Sequence, residues 1–203
     1  FETQWESKGP LFLYLYYFNS QLVSNNLVHF KLLNDLFIFL TSIIIFLSVY
    51  KISDKNKFVS TVSSLLFLLI TSFQWYVSEF SEIYCLPLLG LVYYLYKSNL
   101  KKNITIFLIG FLFSLSTLIN QGTILFIIPY LLLLYFGSDR KSLIKKYLFI
   151  SLGFLIPHLF FIFVYFQADL IRIYFANYFS IPLSYTGSSY SSFSELLVVL
   201  RRI

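Results

Sequence analysis

Long apolar blocks alternate with short polar breaks along the whole chain. Six blocks stand out, at residues 29–50, 58–74, 82–96, 104–119, 123–136 and 147–166. Almost no charge falls inside them, a pattern that predicts membrane helices rather than a soluble core. Several are shorter than the ~20 residues that a perpendicular span needs. Flanking Tyr, Trp, Ser and Lys extend them, and a bilayer adapts to a modest mismatch. A further apolar stretch, "LFLYLYYFNSQLV" at 11–23, is too short to cross and is expected to lie at the interface or dip in partway. The expected fold is all-α: a polytopic integral membrane helix bundle of about six transmembrane helices plus an interfacial helix. Residues 1–28 and 167–203 flank the bundle at 29–166. "SYTGSSYSSFS" at 184–194 reads as a loop, and "ELLVVLRRI" as the start of another helix.

Charge orients this bundle. Lys51, Lys55 and Lys57 fall in one break, Lys97, Lys101 and Lys102 in a second, and Arg140, Lys141, Lys145 and Lys146 in a third. These breaks alternate with "QWYVSEFSE" and "INQG", which carry no basic residue. Placing the basic breaks in the cytoplasm puts residues 1–28, 75–82, 120–122 and 167–203 outside.

Composition agrees with the pattern. Hydrophobic residues make up 58% of the 203 and charged residues 12%, against about 25% charged in a soluble domain. The net charge of +6 does not indicate nucleic acid, because the basic residues lie between apolar blocks and form no stripe. Cys85 is the single cysteine, which excludes an internal disulfide and a cysteine-based zinc cluster. There is no methionine, initiator included, and the chain is expected to be an internal piece of a longer protein. Asn103-Ile104-Thr105 matches a glycosylation sequon but stands at a cytoplasmic helix start.

Candidate chemistry gathers on the outer side. Lys8 stands before Gly9-Pro10 at the doorstep of the 11–23 stretch, with Glu2 and Glu6 just ahead of it. An ammonium at a membrane surface pairs with phosphate as a point charge, or simply marks the boundary by snorkelling. Glu6 could act as a general base on an acceptor hydroxyl, or hold Lys8 in place. Glu79 and Glu82, in "SEFSEIYCLPLLG", suit a helix N-terminus or contacts to a sugar or acceptor. Lys31 and Asp35, at i and i+4, are expected to pair. His158, after Pro157, reads as a packing or hydrogen-bonding residue, and Asn120-Gln121-Gly122 as a tight outer turn. The sequence holds no GxGxxG, P-loop or HExxH motif and no clustered metal-ligand set. The interiors of the blocks show no charged ion path.

"WESKGPLFLYLYYF" resembles the acidic-x-Lys-(Pro/Gly)-Pro-Leu element of the GT-C membrane glycosyltransferases. These include the protein O-mannosyltransferases, the lipid A aminoarabinose transferases and bacterial relatives of the dolichyl-phosphate-mannose type. "SEIYCLPLLGLVYYLYK" is similar to an acidic-Tyr-Leu-Pro element of some bacterial members. The motifs cover about 20 residues, and the resemblance in topology covers the chain. It implies that residues 1–28 end the first large extracytoplasmic loop. It implies that Lys8 faces the phosphate of a polyprenyl-phosphate-sugar donor, with Glu6 as the acidic position before it. The principal catalytic Asp is then expected upstream of residue 1. Thr3 stands where some relatives carry an Asp, and Leu118-Ile119-Asn120 where some carry Arg-Pro-Asn.

The resemblance thus implies sugar transfer from a lipid-phosphate donor to a glycan, lipid or protein acceptor, in a bacterial plasma membrane. Metal dependence stays open. A transporter or flippase for lipid-linked sugars, or a non-catalytic membrane scaffold, is the alternative.

Overall fold

The computed structural model of the chain describes residues 8–23, 27–72, 81–98, 102–137, 140–176 and 178. Each apolar block becomes helix. The order is α1 (Pro10–Val23), α2 (Leu27–Ile52), α3 (Lys57–Thr71), α4 (Ser81–Ser98) and α5 (Asn103–Ile119). A 3₁₀ segment (Gln121–Phe126) leads into α6 (Ile127–Phe136), then α7 (Arg140–Gln167) and α8 (Ile171–Phe175). Among the described residues there is no β-strand, only an isolated antiparallel bridge between Lys8 and Asn120. The all-α expectation therefore holds.

Polar breaks act as stops and caps. The Lys55 N–H bonds back to the Tyr50 carbonyl at 2.8 Å, which closes α2. Asp54 and Lys55 adopt left-handed φ values of 50° and 68° and reverse the chain. Asn56 then caps α3, its side-chain oxygen accepting the Val59 N–H at 3.1 Å, as N-cap residues do.

Two expected boundaries move. The block at 123–136 is not one α-helix but the 3₁₀ segment followed by the ten-residue α6. Pro129 supplies a physical reason. Inside a continuous α-helix its ring would clash with the Leu125 carbonyl, whereas in the first turn of α6 its missing N–H costs nothing. The third basic break also differs. Arg140 to Lys146 form the first two turns of the 28-residue α7 rather than a loop.

Length separates the helices into two groups. Lys31–Ile52 in α2 and Ser142–Gln167 in α7 are long and apolar enough to cross a membrane. Lys57–Thr71, Asn103–Ile119 and Gln121–Phe136 are apolar but shorter.

The helices pack in the lateral order α3, α2, α4, α5, α7. Helix α5 is the centre, with Ile106, Ile109 and Phe113 buried against Val92 of α4, Leu134 of α6 and Ile150 of α7. The α5–α7 contact is backbone to backbone. A Cβ on Gly110 would lie 2.0 Å from the Ile150 carbonyl oxygen, and one on Gly153 would lie 2.1 Å from that of Phe107. Small residues at such crossings let helix backbones approach closely. Helix α1 lays Phe12 against Tyr84, Cys85 and Ile119, with Leu33 and Phe37 of α2 beside them. Lys51 stands 5.1 Å over the Tyr94 ring, which joins the basic ends of α2 and α4.

Candidate functional site

The end of α5 opposite those basic residues organises the site. A helix leaves its last carbonyls without intrahelical donors, and here other elements supply them. The Ser116 carbonyl takes the N–H of the cap residue Asn120 at 2.8 Å, the last bond of the helix itself, and the Ile119 carbonyl beyond it takes the Gly9 N–H at 3.0 Å. The Thr117 carbonyl takes the Tyr178 hydroxyl at 3.0 Å. Gly9 fits because a Cβ there would lie 2.0 Å from the Leu118 oxygen. The chain ahead of α1 is thereby clamped onto α5, and Lys8 is delivered to Asn120.

A four-residue polar cluster results. Lys8 Nζ donates to Ser81 Oγ at 2.8 Å. Asn120 Nδ2 donates to Ser81 Oγ at 3.0 Å and to Glu82 Oε1 at 2.8 Å. Asn120 Oδ1 accepts the Gly122 N–H at 2.9 Å, which fixes the orientation of the amide. Ser81 Oγ thus accepts twice, and its own proton faces Glu82 Oε2 at 3.4 Å. An ammonium and a carboxylate share one serine. Of the three N–H bonds an ammonium can make, Lys8 makes one within the described residues of this cluster. Ser81 is fully buried and Glu82 exposed, so the cluster opens outward on its acidic side. Glu82 also occupies the first turn of α4, where the helix dipole favours a negative charge. Tyr84 fixes that turn between Phe12 and Phe37, at ring separations of 5.5 and 4.9 Å.

A second polar group lies on the other side of α5. His158 of α7 is 3.1 Å from Thr117 Oγ1 through Nε2 and 2.7 Å from the Tyr174 hydroxyl through Nδ1. Phe154 and Tyr178 rings flank it at 4.9 and 5.5 Å. Burial pushes the Tyr174 hydroxyl up to about 12, with neighbouring Tyr165 adding to the shift. Burial raises Tyr178 as well, helped by Tyr174 and Tyr165. Both hydroxyls therefore keep their protons at neutral pH. This group lines a cavity of about 700 Å³ between the 3₁₀ segment, α7 and α8.

Lys8 and Glu82, expected as donor-phosphate ligand and as sugar or acceptor contact, are brought to one serine. Glu2, Thr3, Glu6 and Glu79 lie outside the described residues, as do the stretches at 184–194 and 195–203. Lys31 and Asp35 are both exposed and do not bond to each other. The i, i+4 spacing brings their side chains near, but exposed pairs gain little from closing. Asn120 makes its expected turn and in addition ties two helices together. Ser81 carries a signal that sequence reasoning passed over, a small hydroxyl residue directly before Glu82 at a helix start. Tyr174 and Tyr178 share an i, i+4 spacing, but nothing local ties them to His158. Among the described residues no three His, Cys, Asp or Glu side chains gather as a metal site would require. Compared with protein families, curated proteins and solved structures, the chain matches none.

Proposed function

We propose that this chain is an integral membrane protein of about six spans with an interfacial α1, and part of a GT-C-type glycosyltransferase. It would move a sugar from a polyprenyl-phosphate donor to an extracytoplasmic acceptor of a bacterial surface polysaccharide or glycolipid. The membrane reading is supported by how little of the two longest apolar helices is covered. Only 33% and 22% of their apolar windows are buried, whereas the core helix of a soluble protein would be buried on most sides. Side chains such as Leu148, Leu152, Leu159, Phe160, Phe163 and Phe166 are exposed along α7, and acyl chains are the medium that suits them.

The observation that carries the transferase reading is the Lys8 ammonium, held 2.8 Å from Ser81 Oγ at the foot of apolar helices. In the proposed reaction the acceptor oxygen attacks the anomeric carbon and the bond from that carbon to the phosphate oxygen breaks. The acceptor proton passes to a carboxylate, and the lipid phosphate leaves carrying the negative charge. A cation fixed before the reaction stabilises that charge without reorganising. Lys8 fills this part, with Ser81 and Asn120 holding it, and Glu82 facing the sugar or acceptor. The test is transfer from a radiolabelled polyprenyl-phosphate-sugar by the full-length protein in detergent. Lys8→Ala should lower turnover by 100-fold or more, on the order of one lost charge-stabilising donor. Near-normal turnover would remove Lys8 from the reaction.

A further inference from the structure

The cavity beside His158 lies on the α7 side of α5, and it meets the Lys8 cluster only at the turn where Asn120 holds the Gly122 N–H. Its volume of about 700 Å³ falls in the roughly 300–1,000 Å³ range of small-molecule sites. Ile124, Leu125, Phe154, Leu155 and Ile162 supply apolar walls. Leu155 and Ile162 stand three before and four after His158, so one face of α7 presents the wall and the polar group together. Among the described residues that line it, none is Lys, Arg, Asp or Glu.

Counting protons defines what the polar end can offer. The single Thr117 hydroxyl proton goes to the Ser114 carbonyl at 2.8 Å, because a carbonyl only accepts. At the 3.1 Å contact with Thr117 Oγ1, His158 Nε2 is therefore the donor. A neutral imidazole carries one N–H, so Nδ1 accepts and the Tyr174 hydroxyl donates to it at 2.7 Å. The Tyr178 hydroxyl proton goes to the Thr117 carbonyl at 3.0 Å. All four protons are used inside the protein. The Tyr174 and Tyr178 oxygens retain lone pairs, so the His158 group accepts hydrogen bonds and has none to give, while Gln121, the remaining polar side chain among the described lining residues, already has a partner in the protein.

We propose that the cavity binds an uncharged, single-chain amphiphile whose polar end is an alcohol. The alcohol O–H donates to the Tyr174 or Tyr178 oxygen, and the chain lies along the apolar walls. A phosphate or carboxylate would bring more acceptors and a charge that no cation among the described lining residues meets. An ether or ester would bring acceptors without a proton. The site stands on this geometry alone and holds whether or not the protein transfers a sugar.

The test uses the protein in lipid nanodiscs and a diazirine-bearing hexadecanol as photoprobe, with labelled peptides mapped after irradiation. Label is expected on the segments carrying Leu125 and Leu155. Unlabelled hexadecanol should compete, its methyl ether about 3- to 10-fold more weakly, the worth of one net hydrogen bond, and hexadecyl phosphate more weakly still. Leu155→Trp should fill the cavity and remove the label while the unfolding temperature stays unchanged. Replacing both tyrosines, Tyr174→Phe with Tyr178→Phe, should keep the label but make ether and alcohol equal competitors. Label mapping elsewhere, an ether that equals the alcohol on the unaltered protein, or a phosphate ester that competes best would each overturn the proposal.

Discussion

Asn120 Nδ2 lies 2.8 Å from Glu82 Oε1, a contact that spans 38 residues of sequence and ties the end of α5 to the first turn of α4. The same nitrogen reaches Ser81 Oγ at 3.0 Å, and the amide oxygen holds Gly122. One side chain thus joins two helices and the turn beyond them, and it holds the serine on which Lys8 rests.

Removing that amide should loosen the whole outer end. Asn120→Leu is expected to cost about 1–3 kcal/mol, the penalty of leaving partly buried polar partners unmade. Asn120→Asp should cost more at neutral pH, because it sets a second carboxylate directly against Glu82, at a 2.8 Å contact, while the Lys8 ammonium lies farther off, across Ser81. That carboxylate is protonated more readily in the folded state than in the unfolded state. The lost stability should therefore return as pH falls through the raised folded-state value, a window that lies above the ordinary Asp value of about 4. Thermal unfolding of the solubilised protein at two pH values checks this. An Asp variant as stable as the wild type at neutral pH would place Glu82 away from residue 120.

The α5–α7 contact predicts a contrast among glycines. Gly110→Ala and Gly153→Ala each drive a Cβ into a backbone carbonyl, at 2.0 and 2.1 Å. Overpacking of this kind costs about 1–3 kcal/mol, and separating two packed helix backbones puts the cost at the upper end. That exceeds the roughly 1 kcal/mol of helix propensity gained from glycine to alanine. Gly90→Ala meets only the Ile44 side chain, at 3.1 Å, which can shift. Unfolding temperature should fall for the first two and stay near wild type for the third.

Asn34 of α2 is 2% exposed, and neither its Nδ2 nor its Oδ1 has a hydrogen-bond partner among the described residues. An unpaired buried amide is costly, and an apolar replacement of similar shape removes that cost. Asn34→Leu is expected to stabilise the protein by about 1–3 kcal/mol, read as a higher unfolding temperature. A lower one would mean that this amide has a partner, such as a buried water.

Much of this architecture is legible in the pattern of apolar blocks. The block at 104–119 gives α5 to within a residue, because charge and Asn103 mark its start and Asn120 its end. The block at 123–136 misled, since apolar runs do not distinguish 3₁₀ from α, and the signal was a single proline, Pro129. The basic residues 140–146 read as loop because loops carry positive charge, yet nothing in "RKSLIKK" breaks a helix. Lys8 and Glu82 were legible as site residues from charge beside apolar stretches. Their meeting at Ser81 was not, because it depends on Gly9 docking onto the carbonyls of α5, a contact between residues more than a hundred positions apart. The His158 group was hidden for the same reason, since its partners come from α5 and from beyond α7.

The central claim is that Lys8 receives a lipid phosphate, and equilibrium binding of polyprenyl phosphate tests it most directly. The account predicts saturable binding to the solubilised protein, weakened at least 10-fold by Lys8→Ala and largely kept by Lys8→Arg, which preserves the charge. The phosphate-free polyprenol should bind wild type and Lys8→Ala alike. Equal affinity of wild type and Lys8→Ala for the phosphate would contradict the account and leave Lys8 as a lysine that marks the membrane boundary.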